Sequence, residues 1–520
     1  MPSKICQDRG LRATFPRMMK DLPERPIRFV HRNRIIEVQG LAPTTTVLSW
    51  LREEAACTGT KEGCNEGDCG ACTVVVADAA PSGGVRLTLM NACLLFMPAL
   101  DGRALFTVED LRRINAGPLH PVQQALVDEH GSQCGFCTPG FVMSIWAGWE
   151  QALQTGQAPD RQAWADALSG NLCRCTGYRP ILDAAQRCVD RSLAQASPTG
   201  RLDRAALSEQ LQALSADPPL HYAAHDPALG QIRRFHAPRS SDALADHLTA
   251  HPQDRLLGGA TDIGLWVNKA HRDVGDLVAI ARAQDLDRID RQDGKLEIGA
   301  AVSLERAWSA LAEDWPELQD LWRRFASPPV RHAGTLAGNL ANGSPIGDSA
   351  PVLMGLGASL VLRRGPARRE LPLDDFYLGY QRSRLEPGEF IERVKVPRPA
   401  PGFVMRAWKV SKRYDCDISA ICGGFGLRLA GQRVVEARLA FGGMAATVRR
   451  AAHAEQALLQ GGWTPEGIAA ATAALTLDFQ PLSDLRSTAE HRMRTAEALL
   501  QRLWLSLQPQ AASRTLEVWR

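Results

Sequence analysis

The sequence predicts an α+β multidomain protein, and three features support that expectation. A loop with three thiols, Cys64-Asn-Glu-Gly-Asp-Cys69-Gly-Ala-Cys72, lies between stretches in which apolar and polar residues alternate. Four further cysteines, Cys134, Cys137, Cys173 and Cys175, fall in a region of helical apolar spacing. Beyond residue 230 come two glycine-rich loops, then a segment that alternates before turning helical. At 520 residues the chain has room for about three or four domains, and 45% hydrophobic with 22% charged residues is an ordinary globular composition.

Taken in order, residues 27–38 read as two short strands joined by a turn, and residues 46–54 as a short helix behind a threonine-rich cap. The thiol loop follows, and residues 73–77 and 85–89 alternate again. This is a ferredoxin-like order, expected over residues 25–105. The spacing C-x4-C-x2-C with a distant fourth cysteine, Cys93, is that of a plant-type ferredoxin holding a 2Fe-2S cluster. Gly63, Gly67 and Gly70 permit positive φ and let backbone N–H groups turn towards the cluster sulfurs. Four thiolates would also satisfy zinc, so the residues alone leave that reading open.

Around the second cysteine set, residues 121–130, 141–154 and 180–194 have helical spacing, and residues 164–168 a weaker version of it. The thiols of Gln133-Cys134-Gly-Phe-Cys137 and Cys173-Arg-Cys175 then sit on inter-helix loops of a helical domain over residues 106–195. A zinc knuckle or a redox C-x-x-C pair stays open on these residues alone. Residues 196–230 lose periodicity, apart from a candidate helix at 204–214, and read as a linker.

A new domain is expected over residues 231–400. Its first strand breaks into glycines along Leu256, Leu257, Gly258, Gly259, Ala260, Thr261, Asp262 and Ile263, where main-chain N–H groups can approach a pyrophosphate. This is not G-x-G-x-x-G, and the chain has no G-K-[ST] tripeptide, so neither a Rossmann fingerprint nor a P-loop is supported. A second stretch, residues 330–350, is rich in small and polar residues and reads as a long aperiodic loop, a kind that usually binds something. The final domain, residues 401–510, alternates through 435–441 and turns helical from Arg450 onward.

The net charge of +3 comes with neither a polybasic surface nor an acidic tail, so no nucleic-acid partner is expected. The first 25 residues lack an apolar core, so no secretory signal is expected, and the most apolar later run, 350–362, is too short to span a bilayer. The expected setting is soluble and cytoplasmic, away from membranes. In that setting thirteen cysteines suggest metal rather than disulfides.

The strings GCNEGDCGACTVVV, NACL, QCGFCTPG and NLCRCTGYRPIL occur in this order. With the two later loops they resemble the small subunits of bacterial xanthine dehydrogenases, in the molybdenum hydroxylase family, from about residue 27 to beyond residue 425. The resemblance implies a β-grasp 2Fe-2S ferredoxin-like domain, a helical-bundle 2Fe-2S domain, a two-subdomain α+β FAD-binding domain unlike Rossmann, and a C-terminal α+β flavoprotein domain. It assigns Cys64, Cys69, Cys72 and Cys93 to the cluster nearer the flavin, and Cys134, Cys137, Cys173 and Cys175 to the one nearer molybdenum. Gln133 matches a glutamine that touches the partner's molybdopterin. Residues 256–263 match one FAD loop, and Thr335, Leu336, Ala337, Gly338 and Asn339 the other. Phe325, Asp348, Ile391 and Lys409 match single FAD contacts, and Ala260 stands where many relatives place Asn. Tyr380 and residues 412–417 match regions on the nicotinamide side of the flavin, although a charged run of this kind is as readily a solvated turn. Cys416 stands where some relatives place an acid. Cys6, Cys57, Cys188, Cys416 and Cys422 receive no ligand role and read as bystander thiols.

The implied activity is electron transfer from a molybdenum centre through two 2Fe-2S clusters to FAD and on to NAD, during oxidation of hypoxanthine and xanthine to urate. Single-chain relatives have the molybdenum domain after the flavin domain. Here a separate large molybdopterin-binding subunit is expected, in a heterotetramer of two small and two large subunits. A molybdenum hydroxylase acting on aldehydes or heteroaromatic acids would use the same parts, and a non-catalytic zinc-stabilised protein is the reading from another class.

Overall fold

The strands form where the sequence alternates. In the computed structural model, which describes residues 25–80, 83–117 and 119–508, β1 (Ile27–His31) and β2 (Arg34–Val38) pair antiparallel around Arg32 and Asn33. Cys6 and most of the stretch read for a secretory signal lie outside the described residues. Thr46 accepts a hydrogen bond from the Ser49 N–H at 3.1 Å and starts the helix Val47–Glu53. With β3 (Thr73–Ala79), β4 (Val85–Asn91) and β5 (Ala104–Phe106) the strands make a five-stranded sheet in the order β2-β1-β5-β3-β4.

The two faces of this sheet meet different partners. Phe29 and Ile27 face Trp50 and Leu51 of the helix, whereas Val30, Val75 and Phe106 face a helical layer. That layer comprises Val108–Ile114, Pro121–Asp128, Thr138–Thr155, Arg161–Ala167 and Arg179–Leu193. Pro121, Pro139 and Pro180 occupy first turns, where a missing N–H costs nothing. Phe141, Ile145, Trp146 and Trp149 recur at helical spacing and are all buried.

The stretch 196–230, expected to be a linker, is largely structured. Helix Arg204–Ser215 buries Leu207, Leu211 and Leu214 against the N-terminal sheet, and β6 (Leu220–Asp226) pairs along its whole length with β7 (Gln231–Ala237). Its apolar residues are few but regularly placed, and a seven-residue strand gives little periodicity to read.

β8 (Arg255–Leu257) and β9 (Leu277–Ala279) complete a sheet in the order β6-β7-β9-β8. Its core, with Phe235, Leu257 and Leu277, is continuous with Met90 of β4 and Leu94 just beyond it. The second half of this region contains β10 (Ile289–Gln292), β11 (Lys295–Gly299), β12 (Ser359–Arg364), β13 (Ala367–Pro372), the hairpin β14 (Tyr377–Gly379) and β15 (Arg382–Ser383), and β16 (Phe390–Pro397). The larger sheet runs β10-β11-β16-β12-β13, over a core that includes Trp308 and Leu311. Two sheets with separate helices match the two-subdomain expectation.

Residues 330–350 are not an aperiodic loop. They fold as the end of helix Pro328–Ala333, helix Leu336–Asn342 and the start of Ser349–Leu356. Thr335 caps the second, accepting from the Gly338 N–H at 3.0 Å. Helices of six to eight residues make only about two turns, too short a run to show a period.

Last come β17 (Phe403–Val410), β18 (Ile421–Ala430), β19 (Arg433–Gly442) and β20 (Arg449–Arg450), packed against helices Ala452–Gly461, Pro465–Asp478 and Ala489–Ser506. No helix among the described residues is long and apolar enough to cross a membrane.

Candidate functional site

Strand pairing sets the first thiol group. Cys72 immediately precedes β3 and Cys93 lies two residues beyond β4, so the β3–β4 pair brings their sulfurs to 3.3 Å in the buried interior. The intervening loop folds back so that the N–H groups of Asp68 and Cys69 both donate to Cys64 Sγ at 3.3 Å. The Cys64 thiol is held down to about 5, first by its hydrogen bond with Cys69 and then by backbone N–H groups, against its own burial. Backbone donors aimed at sulfur suit thiolates bound to metal, and four thiolates satisfy a 2Fe-2S cluster. Gly67 and Gly70 take positive φ of 80° and 68°. Gly63 does not. Its lack of a side chain serves proximity instead, since a Cβ there would lie 2.8 Å from Cys69 Sγ.

The second thiol group sits on the loops before helices Thr138–Thr155 and Arg179–Leu193. The side chains of Cys134 and Cys175 lie close enough to interact, as do those of Cys137 and Cys173. The Thr176 N–H donates to Cys173 Sγ at 3.4 Å. Cys134 and Cys175 are exposed, as are Gln133 and, at 46% and 39%, the large side chains of Phe136 and Tyr178. The two groups meet through backbone. Leu172 N–H donates to the Cys69 carbonyl at 3.0 Å, and the Asn171 amide donates to the Gly70 carbonyl and to Thr73 Oγ1, each at 3.1 Å. A Cβ on Gly70 would lie 2.1 Å from the Gly170 carbonyl oxygen, so the junction requires glycine there.

Two adjoining cavities, of about 260 and about 620 Å³, share Thr261, Asp262, Asn339 and Asn342 and form one groove. The smaller is lined by Leu256, Gly258 to Ile263 of the first loop, by Thr335, Ala337 and Gly338, and at its far end by Ile391. The larger is lined by Phe325, Asp348 and Lys409. It ends on Glu66, Gly67 and Asp68 of the first thiol loop. Gly259 brings the two loops together, since a Cβ on it would fall 1.6 Å from the Ala333 carbonyl oxygen. The groove's size falls within that of small-molecule and cofactor sites. Asp262 lies deep among protein atoms with its surface open to the groove, and burial pushes its carboxyl up. A carboxyl so placed suits a ligand hydroxyl.

At the larger end, Lys409 Nζ lies 2.7 Å from Asp348 Oδ2, both side chains nearly buried, and Ser419 Oγ donates to the other carboxylate oxygen at 2.5 Å. Residues 413 and 416–418 also border this end. The expected FAD residues therefore share one groove, with two exceptions: Leu257 lines a separate cavity and Leu336 is buried core. Tyr380, expected on the nicotinamide side, is 60% exposed on the β14–β15 turn and lines none of these cavities.

Cys57, Cys188 and Cys422 are buried, and Cys57 Sγ takes a hydrogen bond from Arg32. Cys416 donates to the Ser169 carbonyl at 3.2 Å, and burial pushes its thiol up to about 11. Sequence reasoning missed Asn171 and Asn268. Asn268 donates to the Cys93 carbonyl at 2.7 Å from the helix Ile263–Asn268, tying the first groove loop to the first thiol group. Asn171 was at least visible, as a polar residue inside a cysteine motif. Asn268 follows no motif and gives no signal.

Residues 230–399 match the family model of the FAD binding domain in molybdopterin dehydrogenase, residues 107–186 that of a 2Fe-2S binding domain, and residues 406–507 that of the CO dehydrogenase flavoprotein C-terminal domain. The chain is similar to a xanthine dehydrogenase of Emericella nidulans, 32% identical over 502 residues, covering 87% of this chain and 36% of the relative. A xanthine dehydrogenase/oxidase of Rattus norvegicus is 30% identical over 499 residues, covering 88% and 37%. The chain thus spans little more than a third of the length of these curated relatives. Among solved structures, a carbon monoxide dehydrogenase from Hydrogenophaga pseudoflava is 28% identical with a TM-score of 0.49, covering 52% of this chain and 94% of that one.

Proposed function

Because the chain belongs to the molybdenum hydroxylase family, we propose that it is the electron-transfer subunit of a xanthine dehydrogenase. In this reading it passes electrons from a partner's molybdenum centre through two 2Fe-2S clusters to FAD and on to NAD, while hypoxanthine and xanthine become urate. The observation that supports it is an unbroken line of sites. Exposed Cys134 and Cys175 lead to Cys173, the Cys69–Leu172 hydrogen bond joins the two thiol groups, and the first thiol loop borders the groove.

When bound, 2Fe-2S clusters supply one-electron steps, and a flavin converts these to the two-electron hydride that a nicotinamide accepts. The chain's residues do the holding. Cys64, Cys69, Cys72 and Cys93 would bind one cluster, with the Asp68 and Cys69 N–H groups lowering the charge on Cys64. Cys134, Cys137, Cys173 and Cys175 would bind the other. The loops at 256–263 and 335–339 would hold FAD through backbone N–H groups, and the Lys409–Asp348 pair would fix charge at the groove's larger end. The expectation that residues 412–417 border a nicotinamide site agrees with Arg413 and Cys416 lining that end.

The exposed face around Gln133, Phe136 and Tyr178 suits a molybdopterin-bearing large subunit, with two copies of each chain in the assembly. The names of the relatives suggest xanthine as substrate. Production of the chain with its large subunit tests the reading, with xanthine and NAD supplied and urate and NADH measured. The isolated chain is expected to carry NADH-to-dye activity and form no urate. Urate formation by the chain alone would overturn the division of labour. FAD that NADH never reduces would overturn NAD as acceptor.

A further inference from the structure

Four of the chain's twelve histidines, His221, His236, His247 and His251, lie together at one edge of the β6–β9 sheet, far in sequence from every thiol. Two independent pieces of regular structure bring them there. His221 and His236 are directly opposed on the antiparallel pair β6–β7, and their Nδ1 atoms are 2.8 Å apart. His247, in the last turn of helix Ser241–Ala250, and His251, just past its end, have rings 4.9 Å apart. The two pairs meet where the His236 and His247 rings are 4.4 Å apart. Asp254 completes the group, with its Oδ2 2.8 Å from His247 Nε2.

We propose that His236, His247 and Asp254, joined by His221, bind a divalent transition-metal ion of the zinc class. One ligand atom from each of His236, His247 and Asp254 lies within 4.8 Å of the others, a spread that small side-chain rotations bring to the separations of a tetrahedral site. Imidazole nitrogen with one carboxylate oxygen suits zinc, copper or nickel rather than the oxygen-seeking calcium and magnesium. All three side chains are half-buried, so their rotamers are restricted, while the exposed His221 and His251 leave a way in for the ion. A metal there would clamp the helix end and the Asp254 turn to the β6–β7 hairpin. Asp254 immediately precedes β8, which runs into the first groove loop, so the role is structural.

The test uses untagged protein carrying its iron and flavin, treated with a mild chelator and dialysed against Zn2+ alone. Zinc per chain is measured by mass spectrometry on wild type, on His236→Ala/His247→Ala and on Asp254→Asn. Wild type is expected to hold one equivalent of zinc more than the double variant, at unchanged iron. Asp254→Asn, which preserves the shape of the turn and so folds, is expected to weaken zinc binding by about tenfold or more. Cobalt in place of zinc should show ligand-field bands without the intense sulfur charge-transfer bands of a thiolate site. Equal zinc in wild type and Asp254→Asn at every free zinc concentration overturns the proposal, as do cobalt spectra with sulfur bands that persist in the double variant. If the double variant does not fold, the Asp254→Asn comparison decides alone.

Discussion

Leu172 donates its backbone N–H to the carbonyl of Cys69 at 3.0 Å, so the residue before Cys173 touches a member of the other thiol group directly. Neighbouring Asn171 secures that contact with a buried amide. It donates to the Gly70 carbonyl and Thr73 Oγ1 and accepts from Ser144 Oγ at 2.7 Å. Asn171→Ala would leave buried polar groups short of a partner, and each such loss costs about 1–3 kcal/mol. The variant is expected to retain iron at both thiol groups while its Tm falls and electron transfer between the two slows. Thermal melts with iron analysis and rapid-mixing reduction measure these. An unchanged Tm and an unchanged rate would show that the junction does not depend on Asn171.

Cys69→Ser and Cys137→Ser are expected to remove different clusters, since a hydroxyl oxygen is a poor substitute for thiolate at iron. Electron paramagnetic resonance of the reduced protein should lose one of two rhombic signals in each variant. Loss of the same signal from both would refute the grouping by Cys64–Cys69 and Cys137–Cys173 contact.

The cysteine spacings, the paired strands of residues 27–38 and the long helices around Trp146 and Val189 were legible because each has a strong local pattern. The contacts that organise the site were not. Gly259 reads as a residue cleared for a pyrophosphate, yet its missing side chain makes room for the Ala333 carbonyl of the second loop. A bulky residue such as Gly259→Val would therefore separate the two loops before it met any ligand. Nor does the sequence reveal that Leu94, beside Cys93, packs on Gly264 just after the first groove loop. Contacts between segments about 170 residues apart follow from how the sheets stack, and no short window of sequence records them.

His120 gives the helical domain a pH dependence. Its Nδ1 accepts from the Val122 N–H and its Nε2 faces the Gly200 carbonyl at 2.9 Å, which fixes a neutral ring with the proton on Nε2. Burial pushes its pKa from the ordinary value of about 6.5 down to about 4. Between those values the unfolded chain binds a proton that the folded ring refuses. The stability is therefore fully present above about pH 6.5 and falls as the pH drops towards 4. Near pH 5 the loss is about 2 kcal/mol. In His120→Gln, which keeps a donor for Gly200 but does not titrate, the fall in Tm from about pH 7 to about pH 5 should be smaller than in wild type. Equal falls would place the acid sensitivity elsewhere.

Ala260 holds φ at 59° on the first groove loop, a left-handed conformation that a Cβ disfavours by about 1–2 kcal/mol. Asn tolerates this region better than most residues because its short polar side chain bonds locally. Ala260 is buried against protein, yet it borders the groove on one side and a second cavity of about 230 Å³ on the other, so a larger side chain has somewhere to go. Two substitutions separate backbone relief from a new contact. Ala260→Gly relieves the clash against the loss of a buried methyl and a freer unfolded chain, so stability should rise by at most about 1 kcal/mol with FAD affinity little changed. Ala260→Asn should match that gain and add one side-chain hydrogen bond to the bound flavin nucleotide, tightening FAD by roughly two- to tenfold. Flavin fluorescence titration of the apoprotein with thermal melts distinguishes the two effects. If Asn loosens FAD while Gly leaves it unchanged, the side chain at this position points into the loop packing rather than the groove. If Gly loosens FAD as well, the left-handed turn needs the stiffness of a Cβ to hold its N–H groups towards the ligand.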